Sequence, residues 1–107
     1  MSIIYYNLED FNEENAYNQY FIDLKDNTYI FTVRWNSYDE TAYLSISDYE
    51  DNPIVMGKAL VNNLQIRNNK LPYVLYFIHL TGETYEPTID NIASEFAIVY
   101  NDEIEVS

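Results

Sequence analysis

The stretch that most constrains the fold is Thr28–Asn36, where Tyr29, Phe31, Val33 and Trp35 alternate with Thr28, Ile30, Thr32 and Arg34. Successive side chains on an extended backbone point to opposite faces, so this alternation predicts a strand with one buried face. The stretch holds the only tryptophan of the chain. Turn-forming segments bracket it, Lys25–Thr28 before and Asn36–Glu40 after. A strand between two turns, with further alternating segments beyond, is the middle of an antiparallel meander.

The neighbours fit that frame. Asn18–Leu24 sets Tyr20, Ile22 and Leu24 against Gln19, Phe21 and Asp23. We expect it to join the central strand through Asp26-Asn27, a pair that tolerates positive φ. On the other side, Thr41–Ser47 places Ala42, Leu44 and Ile46 on the inner face and the hydroxyls of Thr41, Ser45 and Ser47 on the outer. Asp51-Asn52-Pro53 is strong turn chemistry. The short strand Ile54-Val55-Met56 follows, and Gly57 after it predicts a bulge or a close backbone approach.

Leu60, Val61 and Leu64 have weak helical spacing, enough for one turn or a short helix, while Asn62-Asn63 and Arg67–Lys70 read as loops. Beyond Pro72, Tyr73–Leu80 is the most apolar run, and both of its faces are apolar. That describes a central strand, or one whose outer face meets another subunit. Tyr73, Leu75, Phe77 and His79 are therefore the candidate partner surface. Thr81–Thr88 reads as a long loop, Asp90-Asn91-Ile92 as a turn, and Glu95–Tyr100 as the last strand. At the front, Ile3–Leu8 is an opening strand or docking arm, followed by the acidic loop Glu9–Asn15. The expected division is an arm and loop over 1–16, one β-domain over 17–100, and an acidic tail over 101–107. In that tail Ile104 and Val106 alternate with charge and could prolong the strand.

A chain of 107 residues forms one core. We expect an all-β domain of about six to eight antiparallel strands, barrel-like or a sandwich, with at most one short helix. Barrel-like closure is the favoured form, because short strands must hide their edges. With 48% hydrophobic and 17% aromatic residues the chain is not disordered. Its 12 tyrosines suit strands, half-buried surfaces and protein contacts.

Several classes of function are set aside at this level. Without cysteine there is no disulfide scaffold, thiolate metal site or cysteine nucleophile. No basic-then-apolar leader and no bilayer-length apolar run is present, so synthesis in the cytosol without a cleaved export signal is expected. Eighteen acidic residues against five basic ones give a charge of −13, which opposes binding to nucleic acid through its phosphates. Solubility, a basic protein partner or mimicry of nucleic acid remain as explanations. The lone histidine, His79, sits in an apolar strand and is expected to be structural. No serine has a base beside it, no Gly-rich phosphate loop exists, and Glu9–Asn15 lacks the calcium-loop spacing. No catalytic residue, cofactor or metal ligand is expected. Trp35, Tyr38 and Tyr43 near one turn could form a carbohydrate platform, but a core role for Trp35 is simpler.

Several segments together carry a resemblance. Asn18-Gln19 opens one strand, and an Asp-Asn turn leads into Tyr29–Asn36 with its Arg34-Trp35-Asn36. Then come Tyr43-Leu44-Ser45-Ile46, Asp51-Asn52-Pro53-Ile54-Val55 with Gly57, Leu60 and Val61, and finally Pro87–Ile92. In this order and spacing they resemble the baseplate plug family of contractile-tailed bacteriophages, over roughly residues 17–100. Family members usually carry more glycine after Gly57 and before the late apolar strand. Here those places read Asn62-Asn63 and Asn68-Asn69-Lys70, and asparagine can replace glycine where φ is positive.

The resemblance implies an all-β structural component of the virion's tail baseplate, near the hub, tube or spike. It would be held there by contacts with other tail proteins, self-associated or in several copies, with no catalytic residues. The charge and the lack of a bilayer-length apolar run add the expectation of no direct nucleic-acid binding and no membrane insertion. Two readings of another class stand beside it. One is an acidic inhibitor imitating nucleic acid, although the acids gather in turns (Glu9–Glu14, Asp48–Asp51, Asp102–Glu105) rather than along one face. The other is a carbohydrate-binding module.

Overall fold

In the computed structural model, residues 3–104 are described. They form, in chain order, β1 (Ile3–Tyr6), β2 (Tyr17–Leu24), β3 (Asn27–Asn36), β4 (Thr41–Asp48), β5 (Pro53–Ala59), β6 (Leu64–Ile66), β7 (Leu75–His79), a single helical turn α1 (Ile92–Glu95), and β8 (Phe96–Asn101). The strands make two antiparallel four-stranded sheets, β2-β3-β4-β5 and β1-β8-β7-β6.

The meander is where alternation placed it. Tyr20, Ile22 and Leu24 of β2, Tyr29, Phe31 and Val33 of β3, and Ala42, Leu44 and Ile46 of β4 are all buried. Leu75, Phe77, Phe96 and Ile98 from the other sheet join them in one apolar cluster, so the two inner faces share a single core. Burying each large apolar side chain contributes about 1.5–3 kcal/mol. Trp35 is only half buried and packs against the rim of this cluster.

Two boundaries differ from expectation by their turn chemistry. The β2–β3 hairpin turns on Lys25-Asp26, both at positive φ (48° and 69°), and Asn27 is already the first residue of β3. The positive-φ pair therefore lies one residue earlier than Asp26-Asn27, because a two-residue turn with the strands' own twist needs both central residues left-handed. The spacing of Leu60, Val61 and Leu64 is not helical either. Asn63 at φ 66° closes a turn there, and Leu64–Ile66 runs on as β6 beside β7. Three apolar residues are too few to tell a helical turn from a tight turn and a strand. The helix falls instead at Ile92–Glu95, where a turn was expected.

The favoured closure into a barrel does not occur: pairing among the described residues ends at β2 and β5 in one sheet and at β1 and β6 in the other. At one margin the β4–β5 ladder slips twice, between Leu44 and Ile46 and between Ile46 and Ser47. Gly57, at φ 59°, donates its N–H to Ser45 Oγ (3.0 Å) in that irregular stretch, and such irregularity makes an edge a poor template for another strand. At the chain's front, β1 pairs with β8 from Ile3↔Asn101 to Tyr6↔Ile98. β8 ends at Asn101, and Ile104 is drawn into a turn by its N–H to Asn101 carbonyl bond (3.2 Å). Val106, on which a longer last strand would rest, lies outside the described residues.

Gly57 yields a prediction. A Cβ built there meets nothing within 4 Å, so Gly57→Ala is expected to cost only the left-handed backbone penalty, about 1–2 kcal/mol. Urea unfolding should show a lower midpoint at unchanged slope. A much larger loss would mean that the bulge is packed from outside.

Candidate functional site

The side chains nominated as a partner surface lie inside the protein. Leu75 and Phe77 are fully buried, His79 and Tyr73 nearly so. Phe77 stacks on Phe96 and Tyr73 on Tyr100, with ring centroids 5.4 and 5.3 Å apart. The run Tyr73–Leu80 is apolar on both faces, so composition does not say which face turns inward. The β7–β8 register does. It gives the outer face to Tyr76 and Ile78, opposite Val99 and Ala97 of β8. Val99 also lies opposite Tyr5 of β1. The row Tyr5–Val99–Tyr76 thus crosses three strands, with both tyrosines exposed and Val99 between them buried. Leu80 adds a further exposed apolar side chain just beyond β7.

His79 is the one buried polar or charged residue among the described residues, and its ring holds a loop. Nδ1 accepts the backbone N–H groups of Thr81 (3.0 Å) and Glu83 (3.3 Å). The ring proton therefore sits on Nε2, which faces Glu95 Oε1 at 3.1 Å and the Tyr85 hydroxyl at 2.9 Å. Tyr85 in turn donates to the same Glu95 oxygen. The ring also packs edge-on against Phe96 and Tyr85. Both ring nitrogens are thus engaged in hydrogen bonds within the fold.

Asn62 completes this corner and is the residue the sequence reading passed over. Its Nδ2 donates to the carbonyls of Glu83 (2.8 Å) and Tyr85 (3.0 Å), and its Oδ1 accepts the His79 N–H (3.3 Å). Its own N–H goes to Glu86 Oε1 at 2.9 Å. No spacing in the sequence announces such a role, because the partners lie 17 to 24 residues away.

The Tyr85–Glu95 bond sets a pH dependence. That hydrogen bond, with some burial and the carboxylate's charge, raises the Tyr85 hydroxyl to about 12. The same bond and the one from His79 hold Glu95 below the usual carboxylate range. Tyr85 favours its protonated form when folded, so its contribution is present below the ordinary tyrosine value of 10.0 and is lost as pH rises towards 12. Glu95 favours its ionised form, so its contribution is present above the ordinary 4.5 and is lost as pH falls through the lowered value. Wild type should therefore exceed Tyr85→Phe in stability across neutral pH, with the gap closing at both extremes. Urea midpoints of both proteins at fixed pH values read this directly. A gap that does not change with pH would show that the bond is not what distinguishes them.

Of the residues that carried the resemblance, those in β2, β3 and the turn before β5 lie towards two opposite ends of the β2–β5 sheet, whereas Pro87–Ile92 lies outside it. At one end, Tyr17 of β2 and Tyr43 of β4 lie opposite Arg34, whose guanidinium sits 5.1 Å from the Tyr43 ring centroid. Asn18 Nδ2 donates to the Tyr20 hydroxyl, Gln19 Nε2 to Thr32 Oγ1, and Asn36 Oδ1 accepts the Tyr38 N–H. Trp35 donates its backbone N–H to the Ala16 carbonyl (2.9 Å).

At the other end, Tyr29 pairs with Asp48, and burial with that carboxylate's charge raises its hydroxyl pKa. Asp48 closes the acidic turn. Its carboxylate accepts the Asn52 N–H (2.9 Å), the Asn52 side-chain amide (3.0 Å) and the Glu50 N–H (2.9 Å). Those bonds, Asn52 first, hold its carboxyl below the ordinary range. Asp51 takes the left-handed position (φ 69°) and Pro53 starts β5. An open depression of about 940 Å³ lies here, between Tyr29, Asp48, Tyr49, Pro53, Ile54 and Lys70.

Each of these residues is a corner of the scaffold, and no single cleft gathers them. Of the asparagines expected to stand in for glycine, Asn63 does take positive φ. Asn68 instead caps a turn, accepting the Lys70 N–H (2.8 Å) and donating to the Ile54 carbonyl (3.3 Å). Among the described residues there is no cluster of metal-ligating side chains and no helix long and apolar enough to cross a membrane. Compared with known proteins, the chain matches the family model of the cyanophage baseplate Pam3 plug gp18 over residues 5–103. No curated protein matches it.

Proposed function

We propose, from the premise that this chain belongs to the cyanophage baseplate Pam3 plug gp18 family, that it is a non-catalytic plug packed against the hub, tube or spike of a contractile tail. The baseplate plug is a structural component of a phage tail, and the finer assignment concerns what this one touches. The observation that carries it is the outer surface of the two sheets. Tyr5 and Tyr76 stand exposed on one, Tyr17 and Phe21 on the other. Aromatic side chains are enriched where proteins meet, because they bury much area at a low cost in rotamer entropy. Several copies around the tail axis would each form a modest interface and gain strength by acting together. The chain would be made in the host cytoplasm and reside in the virion baseplate.

Size-exclusion chromatography with light scattering tests this, on the protein alone and then mixed with hub, tube and spike proteins encoded beside it. Co-elution with one of them is expected. A monomer that ignores all tail proteins, yet is captured by a DNA-binding enzyme of the host, would overturn the assignment in favour of nucleic-acid mimicry.

A further inference from the structure

The four sheet margins are not alike. β6 is three residues long and β1 four. β5 starts at a proline, slips register twice, and has its Ile54 carbonyl taken by Asn68. Short strands, prolines and bulges are the usual protections of a sheet edge. β2 has none of them: eight residues without proline, glycine, lysine or arginine, in unbroken register with β3 from Tyr17↔Arg34 to Leu24↔Asn27.

The phase of its hydrogen bonds follows from both ends. Leu24 and Asn27 flank a two-residue turn and so form a hydrogen-bonded pair, and Trp35 N–H binds the Ala16 carbonyl. Bonded and non-bonded pairs alternate in an antiparallel ladder. Asn18, Tyr20, Ile22 and Leu24 therefore bond to β3, while Tyr17, Gln19, Phe21 and Asp23 turn their N–H and C=O groups to the free margin. Among the described residues no hydrogen bond reaches these backbone groups from outside the sheet. The side chains of the same four residues are exposed.

We propose that β2 is a docking edge for an extended strand of a basic protein partner, which would add to the sheet as an antiparallel or parallel neighbour. Charge selects this occupant. Exposed Glu13 and Glu14 precede the edge, and Asp23 and Asp26 close it, with Lys25 beside them in the turn. The chain as a whole carries −13, which sets a second copy at a disadvantage. The complementary strand is apolar or hydroxyl-bearing where it passes Tyr17 and Phe21, and carries lysine or arginine at its ends. This deepens the baseplate reading and rests on it for the source of the strand.

The test uses no baseplate protein, so its failure would remove the docking edge and leave that reading standing. A short synthetic peptide of alternating valine and threonine, with lysines at both ends, is titrated into the labelled full chain. Amide exchange is then followed by NMR. Slowed exchange is expected at Tyr17, Gln19, Phe21 and Asp23 and not at Asn18, Tyr20 or Ile22, with binding weakened by salt. Gln19→Pro removes an outward donor at a position where an edge strand accepts proline, and should weaken binding about tenfold. Proline placed within the peptide should do the same with the protein unchanged. Equal binding of a glutamate-ended peptide, absence of protection at the four amides, or self-association that protects them would each overturn the proposal.

Discussion

Phe31→Ala is expected to remove about 3–5 kcal/mol of stability, a large share of the roughly 5–15 kcal/mol that holds a domain folded. Phe31 is 0% exposed in the middle of β3, paired with Tyr20 on one side and Ile46 on the other. The vacated volume lies between two sheets whose backbones are fixed by their ladders, so the surroundings can collapse only partly. The matched control is Phe21→Ala. Phe21 is on the neighbouring strand, one position out of phase with the inner face, and is 59% exposed. That change should stay within about 0.5 kcal/mol. Urea unfolding followed by Trp35 fluorescence reads both proteins with one probe. Similar losses at the two positions would mean that β2 or β3 presents the opposite face to the core.

The second large effect concerns the loop from Leu80 to Asn91. His79→Leu keeps an apolar side chain against Phe96 but removes the acceptor of the Thr81 and Glu83 N–H groups and the donor to Glu95. We expect a loss of about 1–3 kcal/mol, since the groups left behind must find water or remain unpaired. Asn62→Ala cuts the same loop free from the other side, at the Glu83 and Tyr85 carbonyls. Both residues act on one segment, so the double variant should cost less than the sum of the single ones. Limited proteolysis should find new cleavage within 81–91 in either variant, at protein concentrations where the wild type stays whole. Additive losses without new cleavage would show that His79 and Asn62 stabilise the core separately.

How far the chain could be read in advance differed from strand to strand. β2, β3 and β4 are one-sided, and every second residue named the core: Tyr20, Ile22, Phe31, Val33, Leu44 and Ile46. β7 is apolar on both faces, so the same pattern that found the strand assigned its partner surface to Leu75, Phe77 and His79, which are buried. The exposed tyrosines of the outer face, Tyr5 and Tyr76, are 71 positions apart in numbering and both lie opposite Val99. Asn62 looked like any loop asparagine. Its role arises because the β5–β6 turn and the loop after β7 stand side by side.

The amino-acid sequence by itself determined an all-β chain, its central meander, and which face of that meander is inside. Those properties are local, since the alternation of an extended backbone is fixed within a few residues. The tertiary structure alone decided that β1 joins β8 at the far end of the chain, which face of β7 is buried, and that the sheets stay open with β2 at a margin. Pairing between distant strands is chosen by how their buried side chains fit once the intervening chain is closed, and a period of two contains no information about that choice.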